Sequence, residues 1–81
     1  MPQIKIYTSS SCSDCRAAKR FLNEQSIPYE EINIEDDEAA VEIVMLANQG
    51  RRSVPTLDID GRFLNCSPFD RRKLSEELGL S

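Results

Sequence analysis

Two cysteines separated by two residues stand between a strand-like and a helix-like segment, and this junction constrains the fold more than any other feature. Ile4-Lys5-Ile6-Tyr7 alternates in polarity and ends at a threonine and a run of three serines. Cys12 and Cys15 follow, and apolar side chains then recur at helical spacing: Ala17, Ala18, Phe21 and Leu22. A C-x-x-C at a strand-to-helix junction indicates first a redox pair, with a structural metal site or a chance spacing as alternatives.

Length and charge set the bounds of the chain. Its 81 residues have room for one domain, spanning 1–81. Ten basic and fourteen acidic residues give a net charge of −4, which disfavours nucleic acid as a partner. No apolar run approaches the roughly 20 residues needed to span a bilayer, and the N-terminus leads directly into a strand, so no membrane association and a cytoplasmic location are expected. Three cysteines, an odd number, suit reduced thiols better than a secreted disulfide framework.

The element order predicted from hydrophobic periodicity is β-α-β-α-β-β-α. Strands are expected at 4–7, 29–34, 56–59 and 62–65, and the Asp60-Gly61 dipeptide predicts a hairpin turn between the last two. Helices are expected at 13–25, at 38–47 after capping aspartates, and from a start at Ser67-Pro68 to Leu78. The second helix is the most apolar and is expected to be the most buried. This order predicts an α/β sandwich with a mixed sheet whose first two strands are joined by a crossover helix.

The position of the two cysteines predicts different roles for them. A thiolate at a helix N-terminus is stabilised by free backbone N–H groups and by the positive end of the helix dipole, and Cys12 has that position. Cys15 lies about one turn further in, where a resolving thiol is needed. The Asp14 carboxylate opposes the anionic form of Cys12, and Arg16 and Lys19 are candidates to offset it. The chain has no histidine, which excludes a Cys-His pair.

A Val54-Pro55 dipeptide some forty residues later extends this pattern. With this dipeptide, the C-x-x-C, the Tyr7-Thr8 pair before the C-x-x-C and the Ala18-Lys19 pair after it, the chain resembles proteins of the thioredoxin superfamily and, within it, the glutaredoxins. The resemblance implies a thioredoxin-like fold with a four-stranded mixed sheet. It also implies that Pro55 is cis and that the Val54 backbone binds a thiol peptide attached to Cys12. The implied activity is that of a thiol–disulfide oxidoreductase, which reduces protein disulfides or protein–small-thiol mixed disulfides in electron transport and cell redox homeostasis.

The segment from Asn48 to Thr56 is similar to the N-x-G-x-R-x-V-P-T pattern of mycoredoxin-like members. Arg51 and Arg52 are cations suited to a carboxylate, and Arg52 matches the pattern. The residues implied to bind a thiol co-substrate or substrate are Tyr7, Arg52, Ser53, Val54, Pro55, Cys66 and Ser67. Three departures from the common glutathione-using pattern, at Ser9, at Ser13-Asp14 and at Pro68, leave glutathione and mycothiol both open as the low-molecular-weight thiol. No tightly bound cofactor, no metal and a monomer are expected.

Several alternatives stay open at this point. Some members of the resembled family carry an iron–sulfur cluster between two subunits through a cysteine like Cys12, and others are redoxins reduced directly by thioredoxin reductase. The expected partners are disulfide-containing or thiolated proteins, with a small thiol or a flavoprotein reductase as electron donor. Cys66 is either a buried apolar filler or a third redox thiol. Ser67 is expected to cap the last helix.

Overall fold

Four strands form one mixed sheet in the order β2-β1-β3-β4. The structure, a computed structural model, describes residues 3–80. The strands are β1 (Ile4–Thr8), β2 (Glu30–Asn33), β3 (Thr56–Ile59) and β4 (Arg62–Asn65), and the helices are α1 (Ser13–Glu24), α2 (Glu38–Ala47) and α3 (Arg71–Glu77), with a 3₁₀ turn at Ile34–Asp36. The predicted element order and the mixed sheet are confirmed.

The pairing of the strands follows from their connections. β1 and β2, which are joined by α1, run parallel, whereas β1 with β3 and β3 with β4 run antiparallel. Asp60 and Gly61 both have positive φ, at 52° and 93°, as a tight hairpin turn requires. β2 is shorter than predicted because the Asn33 side chain accepts a hydrogen bond from the Glu35 N–H at 2.8 Å and starts the 3₁₀ turn there. Because β1 has a strand on each side, its end at Thr8 lies in the middle of the sheet, shortly before the two cysteines.

Each face of the sheet is covered by a different set of helices, because successive strand residues point to opposite faces. One cluster joins the sheet to α1 and α3 and contains Ile4, Ile6, Ala18, Phe21, Leu22, Leu57, Ile59, Cys66 and Leu74. The second, smaller cluster joins the other face to α2 and contains Tyr7, Ile34, Ala40 and Val44. The active-site helix α1 is thus anchored by the larger of the two cores.

The prediction that the second helix would be the most buried is wrong. Of its ten residues only Ala40 and Val44 are buried, whereas Leu46 is 85 % exposed and Ile43 37 % exposed. The reason is geometric, since five consecutive apolar residues from Ile43 to Ala47 surround the whole helix and one sheet face can cover only one side of it. Among residues 3–80, no helix is long and apolar enough to cross a bilayer.

The start of the last helix also differs from the prediction. The helix begins at Arg71, and its N-cap is Asp70, whose side chain accepts a hydrogen bond from the Lys73 N–H at 3.1 Å. Ser67 lies four residues before the start of the helix and does not cap it, and its backbone N–H donates to the Asn65 side chain at 2.8 Å. An aspartate is as good an N-cap as a serine, so the capping preference alone did not distinguish the two positions.

Candidate active site at the start of the first helix

Cys12 lies at the N-cap of α1, with extended backbone angles, and its Sγ atom accepts a hydrogen bond from the Cys15 N–H at 3.0 Å. The two Sγ atoms are at disulfide-bonding distance, and the Cα atoms are 5.2 Å apart. The two sulfurs differ in access, since Cys12 is partly exposed and Cys15 is only 1 % exposed. A helix N-terminus with a free N–H directed at the outer sulfur favours the thiolate of Cys12 once the pair is reduced.

The loop before β3 faces this sulfur. The Val54–Pro55 peptide bond is cis, which confirms the prediction, and the Val54 carbonyl oxygen lies 3.7 Å from the Cys12 Sγ atom. The Pro55 carbonyl accepts a hydrogen bond from the Cys66 N–H at 2.9 Å, which ties this loop to the end of β4. No hydrogen bond within residues 3–80 engages the Val54 N–H. A main-chain donor therefore stands open beside the reactive sulfur.

A buried network of side-chain amides and hydroxyls holds this loop in place. The Asn48 side-chain amide donates to the Val44 carbonyl at 2.7 Å and to the Thr56 hydroxyl at 2.9 Å. The Asn48 side-chain oxygen accepts a hydrogen bond from the Asn65 side-chain amide at 2.8 Å, and the same amide donates to the Ser53 hydroxyl at 2.6 Å. This network joins the end of α2, the cis-proline loop and the end of β4. The sequence predicts no role for the side chains of Asn48 and Asn65, because a buried amide leaves no periodic pattern along the chain.

A polar cavity of about 240 Å³ opens next to this network, lined by Asn48, Gln49, Arg51, Ser53, Asn65 and Ser67. Two of the predicted binding residues, Ser53 and Ser67, line it. Arg51 and Arg52 are both exposed, and of the two only Arg51 lines the cavity. The predicted role of Arg52 in binding stays a prediction.

Two other predicted binding residues lie in the core rather than at the surface. Tyr7 is 3 % exposed and packs in the α2-side cluster, where burial is the main cause that raises the pKa of its hydroxyl. Cys66 is 1 % exposed and packs in the α1-side cluster. Neither side chain is offered to a ligand, because the sheet and the helices cover both. For Cys66 the interpretation as an apolar filler fits this position, and a third redox thiol does not.

Burial of Cys66 predicts a pH dependence of folding. Burial raises the pKa of the Cys66 thiol from 9.0 to about 11, so the folded state keeps the proton over a range in which the unfolded state loses it. Cys66 therefore favours folding below about pH 9, and this contribution is lost as the pH rises towards 11. We expect the free energy of unfolding, measured by urea titration, to fall less steeply over this range in Cys66→Ser than in the parent chain. Equal slopes would contradict the assignment.

The Asp14 side chain links the cysteine motif to a distant loop. Its Oδ1 atom accepts a hydrogen bond from the Phe69 backbone N–H at 3.1 Å, across 55 positions of sequence. The Phe69 ring in turn packs on Phe21 of α1, with ring centroids 6.3 Å apart. The Asp14 carboxylate thus fastens the segment between β4 and α3 to the start of α1. This role was not predicted, because the sequence indicated only a charge beside the thiol.

Two substitutions separate the charge of Asp14 from its hydrogen bond. Asp14→Asn removes the charge and keeps an oxygen that can accept from Phe69, whereas Asp14→Ala removes both. We expect both variants to react faster with iodoacetamide at pH 7 after reduction, because the carboxylate opposes the Cys12 thiolate. Only Asp14→Ala should lose stability, by about 1 kcal/mol. The alkylation rate and a urea unfolding curve test the two parts. A loss of stability in Asp14→Asn equal to that in Asp14→Ala would contradict the assigned hydrogen bond.

The two cations near the cysteine motif, Lys19 and Arg16, differ in their partners. Lys19, which was expected to offset Asp14, forms an ion pair with Glu31 at 2.9 Å, and Glu31 also accepts from the Thr8 hydroxyl. The hydrogen bond from Lys19 is the largest cause that lowers the pKa of Glu31. Arg16 is exposed and lies on the turn that follows Cys12. Of the two candidate cations, Arg16 is the one without an ion pair among residues 3–80, so it is the one left to support the thiolate.

The donor set offers little to a metal ion in the part of the chain from Gln3 to Leu80. That range contains no group of three or more His, Cys, Asp or Glu side chains placed to hold one. Cys12 and Cys15 bond to each other, and Cys66 is enclosed in the core. The chemistry that the arrangement supports is exchange between thiols and disulfides at the outer sulfur.

Comparisons with known proteins agree with this geometry. The family model described as glutaredoxin matches residues 4–64. A Mycobacterium tuberculosis protein named as a glutaredoxin is 39 % identical over 71 residues, which are 86 % of this chain and 84 % of that protein. The glutaredoxin-like protein NrdH of Lactococcus lactis is 30 % identical over 73 residues, which are 89 % of this chain and 99 % of that protein.

Among solved structures, a mutant of the thioredoxin-like protein BC3987 superposes with a TM-score of 0.79 at 31 % identity and covers 100 % of both chains. The predicted thioredoxin-like fold is thereby confirmed. The family match includes the C-x-x-C, the cis-proline loop, the first three strands of the sheet and β4 as far as Leu64. With its Cys12–Cys15 pair at disulfide-bonding distance, the chain belongs to the glutaredoxin family and is a thiol–disulfide oxidoreductase.

Proposed function

We propose that the chain reduces protein disulfides and protein–small-thiol mixed disulfides, with Cys12 as the nucleophile and Cys15 as the resolving thiol. One observation carries the proposal. The partly exposed Cys12 sulfur sits at the N-cap of α1, accepts the Cys15 N–H, and faces the Val54 carbonyl of the cis-proline loop, while Cys15 stands behind it in the core. An incoming disulfide can reach only the outer sulfur.

The exchange runs in two steps. The Cys12 thiolate attacks one sulfur of a disulfide, which forms a mixed disulfide at Cys12 and releases the other sulfur as a thiolate that takes a proton from water. Cys15, once deprotonated, then attacks the Cys12 sulfur, which releases the reduced substrate and leaves the Cys12–Cys15 disulfide. Two electrons have passed to the substrate. When the mixed disulfide at Cys12 holds a small thiol, a second small-thiol molecule can instead attack the sulfur of the bound small thiol, which forms the small-thiol disulfide and releases the Cys12 thiolate.

The co-substrate in this proposal is a low-molecular-weight thiol with a peptide-like body. Support comes from the open Val54 N–H, which can pair with a main-chain carbonyl, and from Arg51, Ser53 and Ser67 around the polar cavity. A guanidinium and hydroxyls suit a carboxylate end. The Arg51 cation suits glutathione, which carries carboxylates, whereas the likeness to the mycoredoxin-like pattern around Asn48–Thr56 points to mycothiol, so the two thiols are compared directly. We propose a monomer as the acting form.

The choice of reductant tests the proposal. The protein is oxidised and then given, separately, glutathione with its reductase, mycothiol with its reductase, or thioredoxin reductase alone, each with NADPH. We expect one of the two small thiols to regenerate the free Cys12 and Cys15, measured as NADPH consumption and as thiol labelling. Failure of both small thiols would refute the proposed co-substrate.

A redoxin reduced directly by a flavoprotein is the second candidate, and the similarity to NrdH over 99 % of that protein's length favours it. In that case thioredoxin reductase with NADPH suffices without any small thiol. A cluster carrier is a third outcome of the same set of experiments. It requires a visible absorption band and a dimer after anaerobic reconstitution, and a colourless monomer excludes it.

A further inference from the structure

A row of cations runs along α1 from the reactive sulfur. Residues four apart lie on one face of a helix, so Arg16 and Arg20 continue the line that begins at Cys12. Helical side chains lean towards the N-terminus, which brings the Arg16 guanidinium towards the turn that carries Cys12. Both arginines are exposed. The row therefore connects the site of exchange with the outer surface of the helix.

This row forms one wall of a shallow groove of about 580 Å³. The groove lies between α1 and the start of β2 and is lined by Arg16, Lys19, Arg20, Asn23, Glu24, Tyr29 and Glu31. It is distinct from the polar cavity beside Asn48, with which it shares no lining residue.

The charges inside the groove leave two arginines without an anion. Glu31 is paired with Lys19 at 2.9 Å, and Glu24 is paired with Arg71 at 3.0 Å. Over residues 3–80, neither Arg16 nor Arg20 forms an ion pair. A groove with an excess of positive charge is an exception on a chain whose net charge is −4. Its charge is complementary to an acidic segment.

We propose that this groove binds an acidic segment of a disulfide-containing protein substrate, with the substrate disulfide placed at Cys12. The proposal rests on the proposed function, because it names the class of substrate that the same site prefers. Arg16 meets the residues next to the disulfide, and Arg20 meets residues about one helical turn further away, some 6 Å along α1. The attraction acts on the encounter rate, so it weakens as salt is added.

The experiment compares two peptides that carry the same disulfide, one with acidic and one with basic flanking residues, and a small uncharged disulfide as reference. The measured quantity is the ratio of kcat/KM for the acidic peptide to that for the basic peptide. We expect this ratio to fall about 10-fold in Arg16→Glu and in Arg20→Glu, and to fall with added salt in the parent chain. Arg72→Glu, an equal charge reversal at an exposed position on α3 outside the groove, is the matched control.

The outcomes separate the groove from the chemistry. Any change in the reactivity of Cys12 affects both peptides equally and cancels in the ratio, whereas turnover of the small disulfide reports the proposed function by itself. A ratio that stays at the parent value in both groove variants, or that falls equally in Arg72→Glu, would overturn the proposal. If the parent chain does not reduce the small uncharged disulfide at all, the proposed function is refuted instead.

Discussion

Replacing Cys12 by serine is expected to lower the reduction of a protein–small-thiol mixed disulfide by at least about 1,000-fold, because a serine hydroxyl does not ionise near pH 7 and cannot attack sulfur in place of a thiolate. Cys15 does not take over, since it is 1 % exposed behind Cys12. The measurement is the rate at which the reduced protein releases the small thiol from a defined mixed disulfide. Full activity in Cys12→Ser would contradict the assignment of the nucleophile.

Cys15→Ser is the matched variant. It keeps the outer thiol, so a second small thiol can still resolve the mixed disulfide, and we expect that activity to be largely retained. Reduction of an intramolecular protein disulfide should be lost, because no internal thiol releases the substrate from Cys12. The trapped mixed disulfide is expected as a mass increase on the protein. Cys66→Ser serves as the control for thiol content, and its turnover is expected to equal that of the parent chain.

Asn48→Ala is expected to lower the free energy of unfolding by about 2–4 kcal/mol, because it removes three hydrogen bonds of a buried network. The Val44 carbonyl, the Thr56 hydroxyl and the Asn65 amide each lose one contact. For a domain of this size the melting temperature should fall by at least about 10 °C. Thermal unfolding followed by circular dichroism measures the change.

The same substitution should also weaken the binding of the small thiol, since the network fixes the loop that carries Ser53 and Val54. We expect a higher KM with a smaller change in kcat at a temperature at which the variant remains folded. Gln49→Ala, at the exposed neighbouring position, is the control for stability alone, because Gln49 also lines the polar cavity, and it should leave the free energy of unfolding within about 0.5 kcal/mol of the parent value. An Asn48→Ala variant as stable as the parent chain would show that the network does not hold the loop.

Much of the fold could be predicted because local patterns and tertiary structure agree. The helix from Glu38 to Ala47, the hairpin with Asp60-Gly61 and the two strands around it have the predicted bounds. The predictions failed where the local sequence was compatible with two structural outcomes and tertiary packing decided between them. Asp70 capped α3 in place of Ser67, and the apolar run from Ile43 to Ala47 was taken as a sign of burial although a helix on one sheet face cannot bury its whole circumference.

The candidate site, like the fold, could be predicted from the sequence only in part. The cysteine pair and the cis proline could be inferred, because each depends on a short motif that is read along the chain. The hydrogen bond from Phe69 to Asp14 and the Asn48–Asn65 contact join residues far apart in sequence, and no periodicity encodes them. The resemblance implied that Tyr7 and Cys66 lie at the ligand, yet their side chains pack in the two cores.

Three separate stretches of the chain build the site, around residues 12–15, 48–56 and 65–69, and this has a consequence for the protein during its synthesis. Chains emerge from the ribosome N-terminus first, so the two cysteines are exposed well before the segments that complete their surroundings. Until β3 pairs with β1, Cys12 has no Val54 carbonyl beside it, and until the segment after β4 folds, Asp14 has no Phe69 to bind. A nascent chain therefore carries an ordinary dithiol, and the enzyme exists only once its last third has folded.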